Sequence, residues 1–404
     1  VLGGCSFLAC DRAVAKSDSV AMNMLVAHIS FLHLGGEDVV VEAEVALLRD
    51  LGQHVQLLER SNDELAKISP LAGATQTMWS RRTTSEVGAL IDQYQPDIVH
   101  VHNTFALLSP SLYWACAKAG VPVVQTLHNF RIVCPQAMLL REGRICEACV
   151  GRVPVPAIIH GCYRGSRAQT AVLSAMVTLH RGLGTWQNKV ARYIALNEFC
   201  RGKFIQAGLP AERIVVKPNF VNALHFNVMP RTGFLFVGRL SPEKGVKCLS
   251  DAIKNLPDST LKVIGHGPES AWFAQVSNVR SMGERSRDVV FKEMNSALAL
   301  IVPSIWYETF GLVVAEAFAN GLPVIASRIG ALAEIVQDGL TGLLFNPGDS
   351  VDLARVLAWA ESHPDDMAGM GRRARLDYEA RFSPERNIGQ LLDIYRAAIE
   401  ASST

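Results

Sequence analysis

The sequence predicts an α/β fold in which two doubly wound, parallel-sheet domains follow one another along the chain, and three observations carry that expectation. At 404 residues the chain exceeds the roughly 250–300 at which a single core stops growing, so two domains are expected. From Met24 onward short apolar runs alternate with amphipathic stretches, the pattern of a parallel sheet with crossover helices. The alternation then restarts after a segment with two prolines and three asparagines, 218–233, which has no sustained period and reads as a linker. Composition agrees, since 49% apolar and 19% charged residues exclude long disordered tracts. A net charge of +1 gives no whole-molecule field to draw in nucleic acid.

Residues 1–21 lack the basic start, long apolar middle and cleavage site of a secretory signal, and read as an extension outside the core. The first domain is placed at 22–217. Its strands are expected at 24–31, 54–59, 97–102, 121–128, 192–197 and 213–218, and its helices at 37–51, 85–94, 109–119, 168–189 and 198–207. An irregular insertion, 129–165, bears Cys, Gly and Pro and offers few apolar side chains at regular spacing. After the linker, bounded at 218–232, the second domain occupies 233–385, with strands at 233–240, 261–267, 297–304, 322–327 and 341–347. The tail reads as helical at 350–362, 365–381 and 384–401, with the stretch 386–404 free to cross back to the first domain. No run reaches the roughly 18–20 apolar residues that span a bilayer. Cys5, Cys10, Cys116, Cys200 and Cys248 are scattered singly, which points to a reducing, cytoplasmic home.

The most informative segment is 304–323, SIWYETFGLVVAEAFANGLP, which leaves a strand through a polar-aromatic loop and enters a helix at Gly311. Glu308 and Glu316 stand eight apart across that boundary. At about 1.5 Å rise per residue the helical part separates their levels by roughly 10 Å, close to the span from a sugar ring across a diphosphate to a ribose. The amides at the helix start suit a diphosphate's negative charge. In VGRLSPEKG, 237–245, Arg239 leaves a strand end and Lys244 follows five residues later. That is where open α/β sheets bind ligands, and a planar fork with a point charge suits a diphosphate. Taken singly, the first motif is two surface glutamates and the second a basic turn; together they favour a ligand site.

These motifs, GRL-x-x-EKG, the GHGP turn at 265–268, E-T-F-G-L-x-x-x-E and A-x-G-x-P-V-I-A-S, resemble the retaining glycosyltransferases of family 4. The fold of that family is called GT-B, two Rossmann-like doubly wound domains facing across an interdomain cleft. The resemblance covers most of the chain from about Met24 and is most specific over 237–348. It implies transfer of a sugar, with retention, from a nucleoside-diphosphate sugar to a sugar or lipid-linked acceptor hydroxyl in cell-surface polysaccharide or glycolipid biosynthesis. No cofactor is required for such catalysis, and the place of work is the cytoplasm or the inner face of the membrane, where lipid-linked acceptors allow peripheral contact. Carried over by residue, it implies that Arg239 and Lys244 hold the diphosphate, Glu308 meets the sugar hydroxyls and Glu316 accepts from the ribose. Gly265, Thr309, Phe310, Gly311 and Leu312 would line the donor. His266 departs from the pattern, which often has an acidic residue there. Two other readings stand beside this one, a sugar-nucleotide epimerase of the same architecture and a non-catalytic sugar-nucleotide-binding partner of another transferase.

In the first domain, HLGGEDVV, 33–40, is a Gly-Gly turn in which Gly35 and Gly36 let backbone amides approach a phosphate. The resemblance puts this loop opposite the diphosphate and acceptor, and puts His128, at a strand end in TLHNF, beside the transferred sugar. His102 and Asn103 end another strand and are candidates for lining the cleft. Cys134, Cys146, Cys149 and Cys162, spaced C-x11-C-x2-C-x12-C, suit a structural zinc and equally suit four unpaired thiols. The helix expected at 168–189 is apolar in its middle and flanked by Arg164, Arg167, Arg181 and Lys189, which fits a core helix with solvated ends and, less commonly, a membrane-surface contact.

Overall fold

The computed structural model describes residues 21–30, 35–223 and 230–403. The expectations for 1–20, for His33 and Leu34 and for the middle of the linker lie outside these described residues.

The first sheet contains β1 (Asn23–Ser30), β2 (His54–Ser61), β3 (Ile98–Val101) and β4 (Val123–Thr126). Beyond a small hairpin of β5 (Leu140–Arg141) and β6 (Arg144–Ile145) it is completed by β7 (Arg192–Ala195) and β8 (Ile214–Val216). Its order is β2-β1-β3-β4-β7-β8, parallel throughout. The second sheet contains β9 (Phe234–Val237), β10 (Leu261–Ile264), β11 (Val279–Gly283), β12 (Ala299–Val302), β13 (Val324–Ser327) and β14 (Gly342–Phe345). It runs β11-β10-β9-β12-β13-β14, also parallel. Each order reverses once, between β1 and β3 and between β9 and β12. In open α/β sheets the crevice outside the strands' carboxyl ends at such a switch point takes the ligand.

Strands β3, β4, β12 and β13 are buried at every residue, so they read in sequence as short, mostly apolar runs without alternation, with His100, Gln125, Thr126 and Ser327 as their buried polar members. β11 was not among the expected strands. It is an edge strand whose residues are mostly solvated, so VRSMG carries no apolar run. The helix Pro70–Met78 was also not expected; Ser69 caps it by accepting from the Ala72 amide at 3.3 Å, and proline starts it. The long helix expected at 168–189 is two, Arg167–Gly182 and Thr185–Asn188, divided at Gly184 with φ +67°. The insertion also differs from expectation. Phe130, Ile132, Val133, Leu139 and Val150 are buried in the first domain's core, placed there by turns that leave no period in the sequence.

The last helix, Pro384–Ser403, returns to the first sheet. Ile388, Leu391, Tyr395 and Ala398 form one helical stripe and pack against Met24, Ile98, Val124 and Ile194 of β1, β3, β4 and β7.

Candidate active site

The second-domain side of the cleft is built at the β9/β12 switch point. β9 leads to Arg239 and the turn Pro242–Lys244, and β12 leads to Ser304 and Glu308. Gly245 sits at φ +69°, and a Cβ there would collide with the Pro303 carbonyl, so only glycine lets the two loops close on each other. The Ile305 amide donates to the Glu243 carbonyl at 2.9 Å across that closure. As a result Lys244 Nζ lies 2.6 Å from Glu308 Oε1, and Ser304 Oγ donates to the same oxygen at 2.7 Å. Burial alone would raise the Glu308 carboxyl. The Lys244 charge and these hydrogen bonds outweigh it and hold Glu308 below the usual carboxylate range.

Arg239 is placed differently. It is exposed, and its guanidinium meets Glu243 Oε1 at 2.8 Å and Ser241 Oγ at 3.3 Å rather than Glu308. The GHGP turn is bound to the same loop: the Leu240 amide donates to the His266 carbonyl at 3.0 Å, and side chains at Gly265 or Gly267 would strike the Gly238 and Leu240 carbonyls. The His266 side chain is exposed.

Gly311, at φ +81°, starts the helix Leu312–Ala319. The helix opens four residues before Glu316, so its share of the rise between Glu308 and Glu316 is about 6 Å and the loop supplies the rest of their separation. Burial lifts the Glu316 carboxyl to about 7, opposed by Arg287, whose Nε stands 3.8 Å away. Arg287 belongs to no motif; the fold alone brings it here, from the first turn of Arg287–Ser296.

The first domain faces these groups. A Cβ on Gly36 would stand 3.8 Å from Leu312 Cδ2, so the Gly35–Gly36 turn lies against the start of the Leu312–Ala319 helix. Thr309 Oγ1 donates to the His128 carbonyl at 2.7 Å, and Asn197 Nδ2 donates to the Thr309 carbonyl at 2.6 Å. Glu334 of the second domain accepts from the Glu198 and Phe199 amides at 3.0 and 2.8 Å, capping the helix Glu198–Gln206 of the first.

The His128 imidazole is buried and meets His102 Nδ1 at 2.9 Å. His102 in turn lies 3.3 Å from Glu44, which also meets His100 at 3.2 Å and Lys217 at 3.3 Å. Burial first, and then the neighbouring His102, hold His128 well below its ordinary range, so the ring is neutral near pH 7. Glu44, His100 and His102 gather ligand-type atoms within 4.8 Å of one another. Lys217 already supplies the positive charge there and the Tyr395 hydroxyl meets His100 at 2.7 Å, so the cluster acts as a charge-balanced scaffold. His102, Asn103, His128, Asn129 and Arg131 line a pocket beyond β3 and β4. Beside them burial, followed by the Asp38 charge, lifts the Glu37 carboxyl to about 8. Glu37, Asn129 and Arg131 were not sequence candidates. Their signal was adjacency alone, Glu37 following Gly36 and Asn129 following His128.

Cys134, Cys146, Cys149 and Cys162 are free thiols that line a separate, small pocket. Burial raises Cys149 to about 11 and raises Cys162, in both cases reinforced by the neighbouring cysteines.

Two doubly wound sheets with facing switch points and an anion-ready helix start define a two-domain ligand-cleft protein of the GT-B class. The family described as "Glycosyltransferase Family 4" matches residues 34–223, and "Glycosyl transferases group 1" matches 226–377. A glycosyltransferase of Methanocaldococcus jannaschii, itself uncharacterised, is 32% identical over 394 residues, 93% of this chain and 98% of that one. A phosphatidyl-myo-inositol mannosyltransferase of Mycobacterium leprae is 33% identical over 279 residues, 65% of this chain and 63% of that protein. Among solved structures, sucrose-phosphate synthase from Thermosynechococcus elongatus superposes with a TM-score of 0.72 at 19% identity, covering 94% of this chain and all of its own. Anabaena HepE in complex with UDP-glucose superposes with a TM-score of 0.64 at 20% identity, covering 95% and 99%. The chain belongs to the group 1 glycosyltransferases, and its fold is GT-B.

Proposed function

We propose that this glycosyltransferase moves a sugar from a nucleoside-diphosphate donor to an acceptor hydroxyl with retention, in cell-surface polysaccharide or glycolipid biosynthesis. The observation that carries the reading is the Lys244–Glu308 pair at the β9/β12 switch point, 2.6 Å apart and facing the helix that begins at Gly311. Lys244 and the exposed Arg239 would hold the diphosphate, with the amides of Phe310, Gly311 and Leu312 adding to their field. Glu308 would bind the sugar hydroxyls and Glu316 the ribose. Gly35, Gly36, Gly265 and Thr309 would line the donor, and neutral His128 would sit beside the sugar as a hydrogen-bonding group. Anabaena HepE holds UDP-glucose, which supports a donor of this class.

In the proposed step the bond from the anomeric carbon to the diphosphate oxygen breaks and a bond to the acceptor oxygen forms on the same face. The acceptor proton passes to the departing phosphate oxygen, so no side-chain base is required. Positive charge fixed by Lys244 and Arg239 stabilises the leaving group, and we expect activity to survive brief treatment with EDTA. The cavity lined by His102, Asn103 and Arg131 is the proposed acceptor side. The mannosyltransferase relative favours a lipid-linked acceptor.

Among the described residues no helix is long and apolar enough to cross a membrane. Val153, Val155, Ile159 and Leu183 are exposed near Arg152, Arg164 and Arg167, a surface that supports contact with anionic lipid at the cytoplasmic face. A screen of donors for nucleoside-diphosphate release, with and without lipid acceptors, followed by NMR of the product's anomeric proton, tests the reading. Release that depends on an acceptor, with the donor's anomeric configuration kept, is expected; an inverted product would overturn retention.

A further inference from the structure

We propose that Cys134, Cys146, Cys149 and Cys162 bind one structural zinc ion that fastens the 129–165 insertion against the loop carrying Glu308. The four cysteines come from separate places: Cys134 follows the turn after β4, Cys146 follows β6, Cys149 lies in the next turn and Cys162 lies beyond the helix Val155–His160. The hairpin and that helix bring all four to one cavity. The other polar side chains lining it are Gln136 and Arg141, with no carboxylate or imidazole. Four soft sulfur donors with no open position match the ligand set of a structural zinc. A zinc with four thiolates carries a net negative charge, and the Arg141 guanidinium stands where it offsets that charge.

Among the described residues the group of three or more ligand atoms gathered within 4.8 Å is Glu44, His100 and His102. The sulfurs thus ring their cavity more loosely than a filled tetrahedral site, and binding draws them inward while each thiol gives its proton to solvent.

The insertion is placed to transmit that tightening. Glu147, between Cys146 and Cys149, meets Lys203 Nζ at 2.6 Å. Lys203 Nζ lies 5.6 Å from the Tyr307 ring centre and 5.7 Å from that of Phe199. Tyr307 immediately precedes Glu308. On the other flank a Cβ on Gly151 would stand 2.9 Å from the Gln206 carbonyl, so the knuckle is pressed against the end of the helix Glu198–Gln206. The inference rests on this geometry and holds whatever sugar is transferred.

Elemental analysis of the full chain, expressed in zinc-supplemented medium without a metal-affinity tag, should give about one zinc per chain. The cobalt-exchanged protein should show the visible bands and thiolate charge-transfer absorption of a tetrahedral sulfur site. Cys146→Ser with Cys149→Ser should lose the metal and melt earlier; if that variant does not fold, the cobalt spectrum of the wild-type chain decides alone. A chain free of zinc with four native-state thiols titratable by Ellman's reagent would overturn the proposal. So would a disulfide in the intact mass, or iron and inorganic sulfide in place of zinc.

Discussion

Lys244 and Glu308 meet from loops 64 residues apart, and their contact is the proposed chemical centre of the cleft. Replacing Lys244 with alanine removes the fixed charge proposed to meet the leaving group, so turnover should fall more than about tenfold with the fold intact. Steady-state kinetics beside a melting curve read both. Glu308→Gln should lower kcat while nucleotide affinity holds, because its proposed partners are the sugar hydroxyls rather than the nucleotide. Glu316 offers a pH test. Its carboxyl is raised from 4.5 to about 7, so the folded chain holds the extra proton between those values, and this group's contribution to stability declines as pH rises through them. A ribose that donates to the ionised form reverses the preference. Nucleotide affinity should therefore fall by up to about tenfold per pH unit below 7, and Glu316→Gln should flatten that part of the slope in calorimetry. The motifs made Glu308, Glu316, Arg239 and Lys244 legible. Arg287 was not, since nothing local marks a residue brought in by the start of a distant helix, and Glu37 had only its place after Gly36 to mark it.

At the scale of elements, the two loops around Lys244 depend on one glycine. Gly245→Ala puts a side chain at φ +69° and against the Pro303 carbonyl, a strain of about 1–3 kcal/mol that the Lys244 turn must relieve by moving. Urea unfolding should show the stability loss and kinetics a drop in turnover; an unchanged variant would mean that the turn adjusts freely. The helix Glu198–Gln206 is capped from the opposite domain, so Glu334→Ala should cost about 0.5–2 kcal/mol, readable in the same unfolding experiment. Buried parallel strands were legible because their runs are mostly apolar, as in ALIV of β12 and VIAS of β13. The edge strand β11 and the short helix Pro70–Met78 were not, for one is solvated and the other is set by its cap and starting proline. The insertion misled for a related reason: Phe130, Val133 and Leu139 reach the core through turns, and turns impose no period.

Across the whole molecule, the chain's last helix lies on the first sheet, so the two domains are tied at the linker and again at the end. Leu391 is fully buried in that packing, and Leu391→Ala should lower stability by about 2–5 kcal/mol, measured by unfolding with the cleft residues untouched. Facing switch points, the Thr309–His128 bond and the approach of Gly36 to Leu312 all converge on one cleft. The central claim is that this cleft binds a nucleoside diphosphate through Lys244. Calorimetric titration of the wild-type chain and Lys244→Ala with the diphosphate of the active donor tests it most directly. The account predicts saturable binding that weakens at least about tenfold in the variant; equal affinity in both folded proteins would contradict it.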